Sequence, residues 1–216
     1  MPRHDPSEKT KSDILTTARR LFVGKGFEDV NIADIVSELG VTRGAFYHYF
    51  ESREALIYAV IDQMFMDTNP LAIAAEQEGL SALEKIRFAL LSAPNSGCNP
   101  SAESLRMAMT EIMVNPVILK SEILSQVNTV APFLEKLLIE GNEDGSLSVK
   151  YPKQAAEVMS LLPNVWLLPS IFPVSPEEYG DKISFLGNLF ALVGIPVMTD
   201  EIKATLIQQY EQIAEA

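Results

Sequence analysis

A chain of 216 residues, 47% hydrophobic and 21% charged, is long enough to bury a core and too apolar to be disordered. The single cysteine, Cys98, excludes an intrachain disulfide, and with two histidines there is no cluster for a structural zinc site, so no metal or cofactor is expected. A net charge of −12 argues against a uniformly basic nucleic-acid binder.

That charge is unevenly spread. Residues 1–55 hold eight Lys/Arg against nine Asp/Glu, whereas residues 56–216 hold nine against twenty. The N-terminal part is therefore near neutral and presents a basic face if Lys9, Lys11, Arg43 and Arg53 cluster. No apolar run approaches the roughly 20 residues that span a bilayer, and MPRHDPSEKTK has no signal-peptide core, so a cytoplasmic location is expected.

In chain order, Asp5-Pro6-Ser7-Glu8 is a helix start, with Asp5 or Ser7 as the cap. Ile14, Leu15, Ala18, Leu21 and Phe22 then recur at the helical period until Gly24 and Gly26 stop the helix. Asn31, with Asp34 three residues on, caps a second, short helix whose apolar face is Ile32, Ile35, Val36 and Leu39 and which ends at Gly40. Thr42 caps a third, in which Val41 staples onto Phe46 and Phe46 and Phe50 pack downward. The face left free carries Thr42, Arg43, Gly44, Tyr47 and His48. Two short helices joined through a Gly-containing turn, with small polar groups and an arginine outward, have the pattern of a helix-turn-helix reading head; an ordinary helical hairpin with a solvated face is the competing reading.

Ser52 caps a fourth helix, over 52–67, with Leu56, Ile57, Val60, Ile61, Met64 and Phe65 on its apolar stripe, and Asn69-Pro70 ends it. Further helices are predicted near 81–93, 101–114, 116–140, 153–171, 176–193 and 200–214. The punctuation is a loop over 94–100, helix starts at Asn115-Pro116 and Tyr151-Pro152, a turn over 141–146 and a capping box over 175–178. Pro132 and Pro163 fall inside predicted helices, where each removes an amide donor and should kink or split the helix. No stretch alternates with the period of a strand, so the fold class is all-α.

The stretch IADIVSELGVTRGAFYHYFESREAL resembles the N-terminal signature of the TetR family of one-component transcriptional regulators. The match runs in register: Ile-Ala, then Gly-Val-Thr, the small Gly44 position, Phe46, Tyr47, the Tyr49-Phe50 pair, and a Ser-Arg-Glu-Ala-Leu that opens the next helix. Arg53 stands where the family more often has lysine, which keeps the charge but turns a point donor into a fork. The resemblance covers roughly the first quarter of the chain. It implies a three-helix DNA-binding domain over 1–51 and a larger helical effector-binding and dimerisation domain over 52–216, with helix 52–67 as the connecting lever.

Roles follow residue by residue. Thr42 and Tyr47 are placed for phosphates, Arg43 for a bidentate contact to guanine, Gly44 for close approach to the groove, and His48 for a phosphate or base edge. Arg53 should pin the backbone from its own helix start, and Lys9, in the first turns of the first helix, is placed to lie along a DNA backbone, although a charge run at a helix start is more often simply solvated. The segments 155–172 and 179–193 are apolar nearly all round, which marks a partner surface that includes Leu161, Leu168, Phe172, Phe185, Leu189 and Leu192. In the resembled family such helices pair with those of a second subunit, which implies a homodimer on a near-palindromic operator. Met64, Phe88, Met107, Met113, Phe133 and Trp166 are adaptable apolar side chains suited to a pocket for a largely apolar small molecule, although each also serves as plain core.

The expected function is a ligand-responsive DNA-binding transcriptional regulator, a repressor in the family's usual mode, released by a small molecule. The alternative is a helical small-molecule-binding or scaffold protein without DNA recognition. An enzyme is disfavoured, because no nucleophile elbow, metal-ligand spacing or phosphate-cradling loop is present in the sequence.

Overall fold

The computed structural model describes residues 6–67, 69–92 and 112–214, and within them every regular element is helical. Asp5, Met107, the loop over 94–100 and nearly all of the helix expected near 101–114 lie outside the described residues. The described chain divides into two compact units, one formed by residues 6–67 with Ile112, the other by residues 69–92 and 113–214.

The first unit holds four helices: α1 (Pro6–Lys25), α2 (Ile32–Leu39), α3 (Arg43–Tyr49) and α4 (Arg53–Asp67). The apolar stripes read from the sequence form its core, with Ile14, Ala18, Ile35, Phe46, Leu56 and Val60 fully buried. α1 packs on α2 and α4, and α2 on α3. Ion pairs join Arg19 to Asp67 and Arg20 to Glu38 across these contacts. The structure thus groups α4 with the three helices before it, whereas the sequence places the first boundary at residue 51.

The second unit contains α5 (Pro70–Ala75), α6 (Ala82–Ser92), α7 (Pro116–Ser125), α8 (Ala131–Asp144), α9 (Pro152–Leu161), α10 (Pro176–Leu192) and α11 (Asp200–Ala214). Its core is built from Ile86, Leu134, Leu137, Leu138, Ala156, Ile183, Leu186 and Ile195. Asn69-Pro70 follows the end of α4 at Asp67, as expected, and also begins α5: the Asn69 carboxamide accepts from the amides of Leu71 and Ala72, and Pro70 fills the first position, where no amide partner is needed.

The two interior prolines neither split nor sharply break their helices. A π turn, Gln126–Val130, joins α7 to α8 ahead of Pro132, and another, Leu162–Trp166, follows α9 and contains Pro163. In the first, the Ala131 amide reaches back five residues to the Gln126 carbonyl; in the second, Leu167 does the same to Leu162. Each proline thus sits at or beside a widened turn, one of the recognised accommodations of a proline within a helical run. Gln126, Ser160 and Asn164 tie the two π turns together: the Asn164 amide donates to the Gln126 side chain and the Ser160 hydroxyl to the Gln126 carbonyl.

The turn expected over 141–146 is a correction. α8 continues to Asp144 and only Gly145, at φ 79°, leaves it. Gly141 is a packing glycine: a Cβ there would collide with the Leu147 side chain, 2.6 Å from its Cγ.

Candidate nucleic-acid interface

The reading head is made by two short helices whose ends are fixed locally. Asn31 accepts from the Asp34 amide at 3.1 Å while Asp34 accepts from the Asn31 amide at 2.9 Å, a reciprocal box that starts α2. Gly40, at φ 67°, stops α2 in the left-handed conformation that costs a glycine nothing. Thr42 Oγ1 then accepts from the Ala45 amide at 3.1 Å and begins α3. α3 is anchored from beneath by Phe46 and Phe50, both buried, with ring centroids 5.8 Å apart.

That anchoring fixes which side of α3 faces out. Thr42, Arg43, Gly44, Tyr47 and His48 are all exposed, and Tyr47 keeps 53% of its surface open while its ring stands edge-on to Phe46. A Cβ on Gly44 would meet only Thr42 Oγ1, at 3.8 Å, so nothing inside the protein requires a glycine there. The His48 ring packs edge-on against Tyr49 at 4.9 Å and is held beside the free face.

The cations separate into two kinds. Arg19 and Arg20 are committed to Asp67 and Glu38. Lys9, Lys11, Lys25 and Arg43 are exposed and make no ion pair among the described residues. Sequence reasoning does not single out Lys25, because a lysine at the end of a helix reads as dipole compensation.

Arg53 departs from expectation. Its guanidinium is turned to the protein's own backbone: Nε donates to the Val30 carbonyl at 3.0 Å, and one Nη donates to the Phe27 carbonyl. A side chain holding two carbonyls with its fork is not extended toward a phosphate. An arginine suits this arrangement, since a fork can serve two acceptors that a single ammonium cannot hold in fixed geometry.

The residues expected to line a pocket fall in different units, Met64 in the first and Phe88, Met113, Phe133 and Trp166 in the second. Met113 is buried and Phe133 lies under the Lys136 ammonium. Trp166 packs edge-on against Phe185, at 6.0 Å, and Lys182 stands over both Trp166 and Phe172. The structure therefore brings Trp166 to residues expected at a partner surface.

Of the partner-surface residues, Phe172, Phe185 and Leu192 are exposed, Leu192 at 85%, and Leu161, Leu168 and Leu189 are partly exposed. α10 has two apolar faces. Ile183, Leu186 and Phe190 enter the core, while Phe185 and Leu192 face outward and Leu189, partly exposed, packs at the edge of the core.

Among the described residues no helix is long and apolar enough to cross a membrane. Residues 14–60 match the family model "Bacterial regulatory proteins, tetR family". Over 74 residues the chain is 34% identical to the "HTH-type transcriptional regulator TtgR" of Pseudomonas putida, a stretch that spans 34% of this chain and only 35% of that protein. It is 22% identical over 191 residues to the "HTH-type transcriptional regulator UidR" of Escherichia coli, covering 87% of this chain and 93% of that one. A crystal structure of a TetR-family transcriptional regulator from Pectobacterium atrosepticum superposes with a TM-score of 0.56 at 19% identity, over 88% of this chain and 96% of that one. At such identity the likeness is one of fold.

Proposed function

We propose, from an N-terminal segment that belongs to the TetR family of bacterial regulatory proteins, that this chain is a DNA-binding transcriptional regulator acting as a homodimer and released from its operator by a small molecule. The observation that carries the reading is the set Thr42, Arg43, Gly44, Tyr47 and His48, all exposed on one short helix whose other side is locked into the core by Phe46 and Phe50. Such a helix offers a major groove two hydroxyls, one cation without an ion-pair partner among the described residues and one position with no side chain.

In this reading Arg43 reads guanine through its fork, Gly44 lets the backbone approach, and Thr42, Tyr47, His48 and Lys9 hold phosphates. The acidity of the rest of the chain keeps non-specific affinity low and limits binding to one orientation. The outward apolar side of α10, with Leu161, Leu168 and Phe172, is the surface proposed for a second copy, which would carry two heads to a near-palindromic site. Of the adaptable apolar side chains, Phe88, Met113 and Phe133, all in the second unit, are the proposed source of contacts for a largely apolar effector. Release requires that the effector favour a conformation in which the two heads no longer match the operator, with α4 as the proposed lever.

The test is a competition gel shift on duplexes from the DNA flanking the coding region. Wild type is expected to select one duplex over random competitor, and Arg43→Ala to lose about 1–3 kcal/mol of that discrimination while keeping its non-specific affinity. Failure of wild type to select any flanking duplex would contradict the reading.

A further inference from the structure

The residue at the start of α4 offers a role beyond direct contact. We propose that Arg53 is a positioning residue that clamps the loop between α1 and α2 and thereby fixes the start of the reading head; the inference rests on the DNA-binding reading above.

The loop over 26–31 is short and held from both sides. Gly26, at φ 95°, turns the chain out of α1. Phe27 then stacks on Phe22 with centroids 4.8 Å apart, and Val30 is 1% exposed, so the loop's side chains are anchored in the core. Its outward carbonyls, on Phe27 and Val30, are taken by the Arg53 fork. Val30 immediately precedes Asn31, the residue that starts α2 through its reciprocal bonds with Asp34. The guanidinium therefore ties the first turn of α4 to the loop that runs into the cap of α2.

Electrostatics give the same answer. A cation in the first turn of a helix opposes the positive end of the helix dipole and is disfavoured there. Two carbonyl oxygens directed at the guanidinium offset that cost through charge-assisted hydrogen bonds. A phosphate contact would require Arg53 to release both carbonyls and leave partly buried backbone acceptors without a donor. The fork is what the arrangement demands, so lysine, which preserves the charge, does not preserve the clamp.

The experiment compares wild type, Arg53→Lys and Arg53→Ala by amide hydrogen exchange of the full chain and by salt-dependent affinity for duplex from the flanking DNA. The clamp predicts that both variants speed exchange at the Asn31 and Asp34 amides about tenfold. It also predicts that both weaken duplex binding alike, with the slope of log affinity on log salt unchanged. A phosphate role predicts instead that Arg53→Lys behaves as wild type and that Arg53→Ala reduces the slope by about 0.9; that result would overturn the proposal. Should Arg53→Ala fail to fold, Arg53→Lys decides by itself, because it retains the charge and most of the stem. Absence of wild-type binding to any duplex overturns the DNA reading and the positioning role with it, while the exchange rates separately report whether the fork holds the loop.

Discussion

Gly44 shows how an internal vacancy carries functional information. Glycine in a helix costs roughly 0.5–1 kcal/mol relative to alanine, and a protein retains it where something else requires it. Here φ is not in the left-handed region and a Cβ would make only an ordinary van der Waals contact with Thr42 Oγ1, so no clash with a described residue supplies the requirement. Gly44→Ala is therefore expected to raise thermal stability slightly, by about 0.5–1 kcal/mol, and to weaken operator binding by about tenfold through a clash with the groove. A melting curve and a titration of the same sample check both. The caps of this region are legible in the sequence because their partners are three residues apart: Asn31 with Asp34, Thr42 with Ala45. The Arg53 clamp is not, since its carbonyl partners lie 23 and 26 residues away and only the fold brings them within reach.

At the scale of elements, the sequence locates nearly every described helix but misleads at three kinds of junction, each for a physical reason. Gly141 reads as a turn because glycine usually punctuates, whereas it is selected by the approach of Leu147 to α8. Asn69-Pro70 ends one helix in the sequence reading and starts another in the fold, the same dipeptide serving both purposes. Pro132 and Pro163 read as kinks or splits and sit at π turns: the helical run passes Pro132 into α8, whereas the turn that holds Pro163 ends at Trp166, short of the expected 171. The α10–α11 contact makes a separate prediction. Tyr179 stacks on Tyr210 at 3.9 Å, and burial, reinforced by that neighbour, pushes its phenol up to about 12 from the ordinary 10. A pKa raised on folding contributes stability that is present in full below pH 10 and is lost as pH rises toward 12. Alkaline titration should show Tyr179 ionising late, accompanied by destabilisation of the second unit, and Tyr179→Phe should remove that late step.

On the scale of the whole molecule, the charge division acquires a use. Acidity over residues 56–216 suits a body that should not adhere to DNA, while the near-neutral first part exposes Lys9, Lys11, Lys25 and Arg43. The outward face of α10 carries Phe185 and Leu192, with Leu189 half-exposed between them, and a monomer would leave the two exposed side chains in water. In the proposed function, a second copy seated on this side converts one short reading helix into a paired site long enough to be specific. The most direct measurement is a nuclease footprint on the flanking DNA with wild type and Leu192→Glu, a change at a position 85% exposed that leaves the core untouched. The account predicts two protected half-sites about one helical turn, or a whole number of turns, apart for wild type, and loss of the paired protection for Leu192→Glu. A single unpaired footprint unaffected by Leu192→Glu, or no protection at any concentration that shifts competitor DNA, would contradict it.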